Sequence, residues 1–515
     1  MYKSINISKY LRLVLISFVF GLLLYLSLIT LDLVNPLDGL WNSTYFMSSS
    51  WELSIGRWFW LFLDRFRSGI SSNPFNSYLS ILLVSIGNIL LLDTFDMVNK
   101  RGILCSLLIM SSTTISAFLS YRYMSPTFSL SFLLSILSVW AIIKIKNIYL
   151  KYFVSISSLC LSLGLYQANI SCCCMIMIIY MIILCIEHDD WRKIGSFVLN
   201  STITILAGCI IYKIIWDLGL LYFSLSASDY NGASNAGIHS IILGLPVGIK
   251  KCYLYFIKYF FTDSWIKHSI LQYKFSYVFV FLFLIIPLNI YSFRATRPLK
   301  SFVLYQVLLF VLILLIPVAS NASILLSPEA DYLIQQTAGM AICIPMILLS
   351  LFSIVNLSSS INFVAVFLSA VLLYGNTYAV ATDLSAMQEG KSSSEKIMTL
   401  AVSELINQNL YSTDNQYYFI GSLDKSPLFE VSELWYRAND YARFGQWLKT
   451  SYGIRTSYGS LLRNMGIKCD IGPDDDYYKI IYSEELNSME NFPSSNSVKN
   501  IDNYIIIKIS DDYYG

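Results

Sequence analysis

Apolar residues recur along the first three-quarters of the chain in blocks of about 20, set apart by short polar connectors, and the pattern stops near residue 380. A block of that length spans a hydrocarbon layer of roughly 30 Å as a helix. Candidate spans fall over 11–31, 76–94, 102–120, 126–143, 149–167, 170–187, 195–215, 275–293, 300–319, 337–357 and 361–379. After residue 380 the texture becomes that of a water-soluble protein. A helix is expected over 394–408, a strand over Gln416–Ile420, one or two helices within 432–465, and a closing strand over Asn503–Ile509. No internal repeat is visible. The expected fold class is a polytopic α-helical membrane protein of about eleven transmembrane helices, residues 1–380, with a small soluble α/β or α+β domain, residues 381–515.

Two connectors are too long to be simple turns. The first, 32–75, carries Trp51-Glu52-Leu53-Ser54-Ile55-Gly56-Arg57-Trp58-Phe59-Trp60 and runs on to Phe66, a content suited to a helix lying in the membrane interface. The second, 224–274, opens rich in Gly and Asn and continues with an apolar stretch bearing Lys250, Lys251 and Lys258, read as another interfacial or re-entrant helix.

Lys and Arg in the short loops set the orientation. With the N-terminus inside, the inner loops hold Lys100/Arg101, Lys144/Lys146/Lys151, Arg192/Lys193 and Arg294/Arg297/Lys300, while the outer loops near 120–125, 168 and 320–336 hold only Arg122. The five lysines of loop 224–274 oppose this assignment without reversing it. An odd number of spans then places the C-terminal domain on the extracytoplasmic side. Lys3, Lys9 and Arg12 precede an apolar run long enough to span, with no small-residue cleavage site after it, so residues 11–31 are expected to be a retained first helix rather than a signal peptide.

Composition narrows the class. Charged residues are 13% of the chain, about half the usual share, against 56% hydrophobic, which excludes a large soluble enzyme. The net charge of +2 hides an asymmetry: residues 1–382 hold 23 Lys/Arg against 14 Asp/Glu (+9), and residues 383–515 hold 12 against 19 (−7). An acidic, tyrosine-rich tail argues against nucleic acid as a partner. Eight of the ten cysteines lie in apolar segments and Cys252 and Cys469 have no paired spacing, the pattern of a small hydrophobe rather than a disulfide framework or metal site.

The spans are nearly free of ionisable residues, which disfavours a proton-coupled transporter. Lys213 and Asp217, one turn apart, read as a local ion pair. Polar groups gather on the outer side instead: Asp32, Asp38, Glu52, Arg57, Asp64, Arg65 and Arg67 in the first long loop, Arg122 in the second, the Tyr166-Gln167-Ala168-Asn169 turn, and Glu329, Asp331, Gln335 and Gln336. A carboxylate beside guanidinium groups at a membrane surface suits deprotonation of an acceptor hydroxyl while a lipid phosphate is held as leaving group, and it equally suits ordinary loop charge.

The strings Asp38-Gly39-Leu40-Trp41 and Trp51-Glu52-Leu53-Ser54-Ile55-Gly56-Arg57-Trp58, followed by Leu163-Gly164-Leu165-Tyr166-Gln167-Ala168 at the end of a span, resemble the GtrII-type glucosyltransferase family of bacterial membrane proteins. The likeness covers most of residues 10–380; the C-terminal domain matches only in kind. It implies the C-type glycosyltransferase (GT-C) architecture, in which a sugar, here glucose, passes from a polyprenyl-phosphate donor to a surface polysaccharide such as O-antigen of lipopolysaccharide. Transfer is expected at the outer face of the bacterial cytoplasmic membrane, with inversion at the anomeric carbon. Asp38 and Glu52 are the implied catalytic carboxylates, Asp38 first. Arg57 and then Arg122 are implied for the donor phosphate, and Trp41, Tyr166, Gln167 and Gln335 for substrate contacts. No cofactor is required and a divalent metal is optional.

Three other strings carry less. Asp474-Asp475-Asp476 reads as a solvated acidic turn, Glu187-His188-Asp189-Asp190 as an inner loop, and Cys172-Cys173-Cys174, which points three ways on a helix, as packing. Tyrosines 411, 417, 418, 436, 441, 452 and 458 either stack on a glycan or serve as core and surface of a small domain. Two rival functions stay open: a polysaccharide polymerase or ligase, expected to carry arginines in its largest outer loop, where 224–274 has only lysines, and a lipid-linked sugar flippase, expected to carry charge within its spans.

Overall fold

The computed structural model describes residues 7–187, 190–230, 238–262, 265–267, 280–282, 284–290, 299–328, 332–353 and 358–513. Among these, eight helices are long and apolar enough to cross a membrane: Ile7–Leu24, Phe75–Thr94, Ser125–Lys144, Ile148–Leu165, Gln167–Glu187, Trp191–Tyr222, Val303–Ser320 and Ser359–Asn407. A ninth arises if Gly102–Met110 and Thr113–Ser120, bent by 46° at Ser111-Ser112, count as one span. The expected span at 337–357 is the shorter helix Ala338–Ser353, and the one at 275–293 is described only over 280–282 and 284–290, which are helical.

The chain divides into two compact units, one of Met1–Leu26, Met47–Leu119 and Met124–Val380, the other of Ser27–Phe46, Ser120–Tyr123 and Ala381–Gly515. In the first, small residues set the seams between helices. Phe75–Thr94 packs on Ser125–Lys144, which packs on Ile148–Leu165. Ser80 donates to Ser125 at 2.9 Å, the Ser131 and Ser162 hydroxyls lie 3.0 Å apart, and Ser106 donates to Ser17 at 2.9 Å. Short hydroxyl side chains let backbones approach and bond across an apolar bundle. Local signals fix the ends: Pro126 sits in the first turn of Ser125–Lys144, and the Asn147 side chain accepts the Tyr149 and Leu150 amides to start the next helix.

The second unit is built on a four-stranded sheet, β1 (Gln416–Ile420), β2 (Asp470–Ile471), β3 (Val498–Ile501) and β4 (Tyr504–Lys508), in the order β2-β1-β4-β3. β1 runs parallel to β2 and β4, with Gln416 opposite both Asp470 and Tyr504, and β3 is antiparallel to β4. The β3–β4 turn places Asp502 and Asn503 at φ 49° and 69°, the pair of left-handed residues that a two-residue hairpin asks for. Helix Ser451–Asn464 packs on β1, started by Thr450, whose hydroxyl accepts the Gly453 amide. The core joins Tyr417, Tyr418, Phe419 and Ile420 of β1 and Ile505, Ile506 and Ile507 of β4 to Ile397, Met398, Ala401 and Leu405 of the long helix, and it includes Val34 and Leu40 from the first long loop. The helix expected over 394–408 is the last part of Ser359–Asn407, which runs unbroken for 49 residues across the point where hydropathy changes.

Candidate functional site

The string from Trp51 to Trp58 folds as a capped turn, a tight corner and a second helix. Ser49 starts helix Ser50–Ser54: its amide donates to Glu52 Oε2 at 2.6 Å, the reciprocal bond of a capping box. Glu52 is 5% exposed, and burial pushes its carboxyl up, opposed by the Ser49 bonds and the nearby Arg57 charge. The corner falls at Gly56, at φ +84°, where an added Cβ would stand 2.2 Å from the Tyr212 hydroxyl and 2.8 Å from Gln167 Nε2, so only glycine closes it. Helix Trp58–Arg67 follows. Its Asp64 is fully engaged, accepting from the Ser48 amide at 2.7 Å, the Trp60 indole at 3.0 Å and Arg67 at 2.6 Å.

This string meets the second one, Leu163–Ala168. Gln167 Nε2 donates to the Ile55 carbonyl at 2.7 Å and to the Tyr212 hydroxyl at 2.9 Å. Gly164 lies under Trp58, whose ring carbons come within 2.7 Å of where its Cβ would be. The Trp216 indole donates to the Leu53 carbonyl at 2.7 Å. Arg57, half-buried, lays its guanidinium over the Tyr166 ring at 5.3 Å. Among the described residues that guanidinium has no carboxylate partner, and its buried Nε has no hydrogen bond. Glu52, Arg57, Tyr166 and Gln167 are thus one cluster, joined by Tyr212 and Trp216, which the sequence reading did not single out. Their one visible signal is an indole and a phenol near the C-terminal end of an otherwise apolar block. Gln335, also in this unit, is buried in the short turn Ile334–Gln336.

Asp38, Trp41 and Arg122 belong to the other unit. Asn35 shapes the turn before Asp38, accepting the Leu37 and Gly39 amides at 3.1 Å each and donating to the Ser120 carbonyl at 3.2 Å. A Cβ at Gly39 would come within 2.6 Å of that carbonyl. Asp38 is half-buried in the first turn of Asp38–Trp41. Trp41 donates to Ser457 Oγ at 2.9 Å and meets Tyr452 edge-on at 5.4 Å. Arg122, 4% exposed, pairs with Asp32 and donates to the Ser43 carbonyl at 2.7 Å, so its charge is already compensated.

The remaining strings have local partners. Lys213 pairs with Asp217 at 2.6 Å, beneath which Trp216 offers its ring at 4.3 Å. Asp474 pairs with Arg455 at 2.5 Å and Asp476 with Lys479 at 2.6 Å. Asp190 caps Trp191–Tyr222 through the Arg192 amide; His188, Asp189, Glu329 and Asp331 lie outside the described residues. Cys173 donates to the Ser135 carbonyl at 3.1 Å inside the bundle. Of the seven tyrosines, 417, 418 and 458 are core, 411 and 441 are partly buried, and Tyr436 and Tyr452 stand exposed. A cleft lined by Leu108, Ser112, Thr113, Tyr259, Met340 and Asn376 mixes apolar and hydroxyl or amide groups and holds none of these charges. Asp383 is buried at 1% exposure, accepting from the Asn439 amide and side chain at 2.9 Å each and from Tyr441 at 2.7 Å; burial pushes its carboxyl up to about 6.

The Arg57 guanidinium, without a carboxylate partner among the described residues, thus lies on an aromatic face near the buried Glu52, at a corner that only glycine can turn, and a guanidinium so placed can take up an anion. The family model described as Glucosyl transferase GtrII matches residues 42–336, more than half of the chain, and the protein belongs to that family of glucosyltransferases. The matched span takes in Glu52, Arg57, Arg122, Tyr166, Gln167 and Gln335 and opens just after Asp38 and Trp41. No curated relative matches the chain.

Proposed function

We propose that this protein is a multi-pass membrane glycosyltransferase that moves glucose from a polyprenyl-phosphate donor to a bacterial surface polysaccharide such as O-antigen, at the outer face of the cytoplasmic membrane. The N-terminus lies in the cytoplasm and the C-terminal domain outside. Family membership supports glucosyl transfer, and the eight long apolar helices support a membrane setting. The observation that carries the donor assignment is the Arg57 guanidinium, held over Tyr166 with no carboxylate partner among the described residues. A phosphate diester accepts two parallel N–H bonds from such a group, and an arginine already spent on a carboxylate could not offer them.

The reaction is a single displacement. The base takes the proton of an acceptor hydroxyl, whose oxygen bonds to the anomeric carbon. The bond from that carbon to the phosphate oxygen breaks, and its electron pair leaves with the polyprenyl phosphate. Attack opposite the departing phosphate inverts the anomeric carbon. Phosphate leaves readily without protonation, so no general acid is needed and a metal is optional. Asp38 is proposed as base on the resemblance of its Asp38-Gly39-Leu40-Trp41 string to the family, with Glu52 as the other candidate carboxylate. Tyr166 and Gln167 hold Arg57 and the Gly56 corner in place.

The test is glucose transfer by the full-length protein in lipid vesicles, from polyprenyl-phosphate glucose to the surface glycan, with Arg57→Ala and Arg57→Lys. Loss of one preorganised charged donor lowers transfer by about 10²–10³-fold, and lysine, a point charge without the fork, restores part of it. Wild-type transfer rates in Arg57→Ala would remove the phosphate role.

A further inference from the structure

Two aromatic rings stand in the open on the turn that carries Glu52. Trp51 is 49% exposed and Tyr230 46%, and they meet edge to face with centroids 5.5 Å apart and planes at 64°. Backbone bonds hold both from below. Trp51 lies in the capped turn Ser50–Ser54, and its carbonyl accepts the Ser54 hydroxyl at 2.7 Å and the Ile55 amide at 3.2 Å. The segment carrying Tyr230 is laid on the same turn: the Ser228 amide donates to the Ser54 carbonyl at 3.0 Å, and Ser228 Oγ accepts the Tyr230 amide at 3.1 Å. Leu225 and Ala227 pack on the Leu53–Trp216–Leu220 cluster, so the approach to Tyr230 is pinned at its start as well.

Rings from two distant parts of the chain are therefore fixed next to each other, with apolar area left uncovered. An aromatic face takes the C–H side of a pyranose by apolar contact and by the attraction of weakly positive hydrogens to the ring's negative face, while the sugar hydroxyls stay free for other partners. Glu52 follows Trp51 directly, and its carbonyl accepts the Arg57 amide at 2.8 Å, so the ring pair and Arg57 belong to one locally bonded corner. We infer that Trp51 and Tyr230 form the platform for the glucose of the donor, with Arg57 taking the phosphate beside it. This inference rests on the function proposed above.

Tryptophan and tyrosine also anchor proteins at a membrane surface. An anchor needs only bulk and apolarity at position 51, whereas a sugar platform needs a ring. The decisive experiment uses the full-length protein in lipid vesicles, with polyprenyl-phosphate glucose as donor and polyprenyl phosphate without sugar as competitive inhibitor. Trp51→Leu and Tyr230→Leu are expected to raise the donor KM by about 3- to 10-fold and to leave the inhibition constant of the sugarless lipid within about twofold. Trp51→Tyr and Tyr230→Phe, which keep a ring, should fall between the leucine variants and wild type. A donor KM in Trp51→Leu equal to that of wild type would overturn the platform in favour of an anchor. An equal rise in KM and inhibition constant would overturn it too, by placing the effect on lipid, phosphate or folding. Absence of transfer from this donor by the wild type is a separate result, which would remove the donor assignment and the platform with it.

Discussion

The first long loop carries two strings of similar make-up, each with an acidic residue, a glycine and tryptophan, and the fold uses them in opposite ways. Trp51–Trp58 packs within the helical unit, where the Gly56 corner presses on Gln167 and Tyr212 and the Arg57 guanidinium lies on the Tyr166 ring without a carboxylate partner among the described residues. Asp38–Trp41 is seated on the core of the C-terminal unit through Leu40 and the Trp41–Ser457 bond, and the arginine of that unit's inserted segment, Arg122, is committed to Asp32. Residue types alone do not mark a site. What separates the strings is whether the neighbouring structure has already met the charge, because a compensated guanidinium has few bonds left for a ligand.

The comparison is tested hardest at its two carboxylates. Asp38→Asn should lower glucose transfer by about 10²–10⁴-fold, the range for removal of a general base, while Glu52→Gln should act chiefly through the lost cap and cost far less. Parallel rate measurements on the two variants decide the assignment, and the reverse ranking would move the base to Glu52.

The two glycines come next. Gly56→Ala adds positive-φ strain and forces Tyr212 from Gln167, and Gly39→Ala drives a methyl group into the Ser120 carbonyl. Each should destabilise the protein by roughly 2–5 kcal/mol. Thermal unfolding in detergent would show it, and near-wild-type melting of either variant would mean that its corner relaxes.

The second unit has a buried carboxylate of its own, held by an asparagine and a tyrosine rather than by a helix start. Asp383 has a folded pKa of about 6, above its ordinary 3.8. The folded state therefore holds the proton more tightly than the unfolded state between these values. Its contribution to stability is full below about pH 4 and is lost as pH rises through about 6, on the order of 3 kcal/mol in all. Hydrogen-exchange protection at Asn439–Tyr441, corrected for intrinsic rates, should fall over that window, and Asp383→Asn should flatten the dependence. The smallest effect is expected at Asp475, in the exposed acidic turn, where Asp475→Asn should change transfer less than about twofold. A large loss there would revive the acidic triplet as a site.

Much of this was legible in order but not in depth. Blocks of apolar residues located eight long helices because span length is a local property. The strand Gln416–Ile420 and the closing strand were readable from β-branched and aromatic runs bounded by polar residues. The continuity of Ser359–Asn407 was not, since hydropathy reports the surroundings of side chains while the helix depends on backbone bonds indifferent to them. The short strands β2 and β3 gave too little pattern to find. In the site, the sequence offered Glu52, Arg57, Tyr166 and Gln167 as candidates, yet it could not say that Gln167 bonds the Ile55 carbonyl or that Asp32 occupies Arg122. Those are contacts between residues about 90 to 110 positions apart, and no local spacing encodes them.

The seat of Trp58 over Gly164 reaches beyond this one molecule. A ring pressed to within 2.7 Å of a missing Cβ makes two distant positions a single inherited unit. A change to alanine at 164 is tolerable only in a lineage that has already traded Trp58 for something slimmer, and a slimmer residue at 58 opens a gap that favours a larger one at 164. Across relatives the two sites should drift as partners, and that shared history would record the contact without a structure.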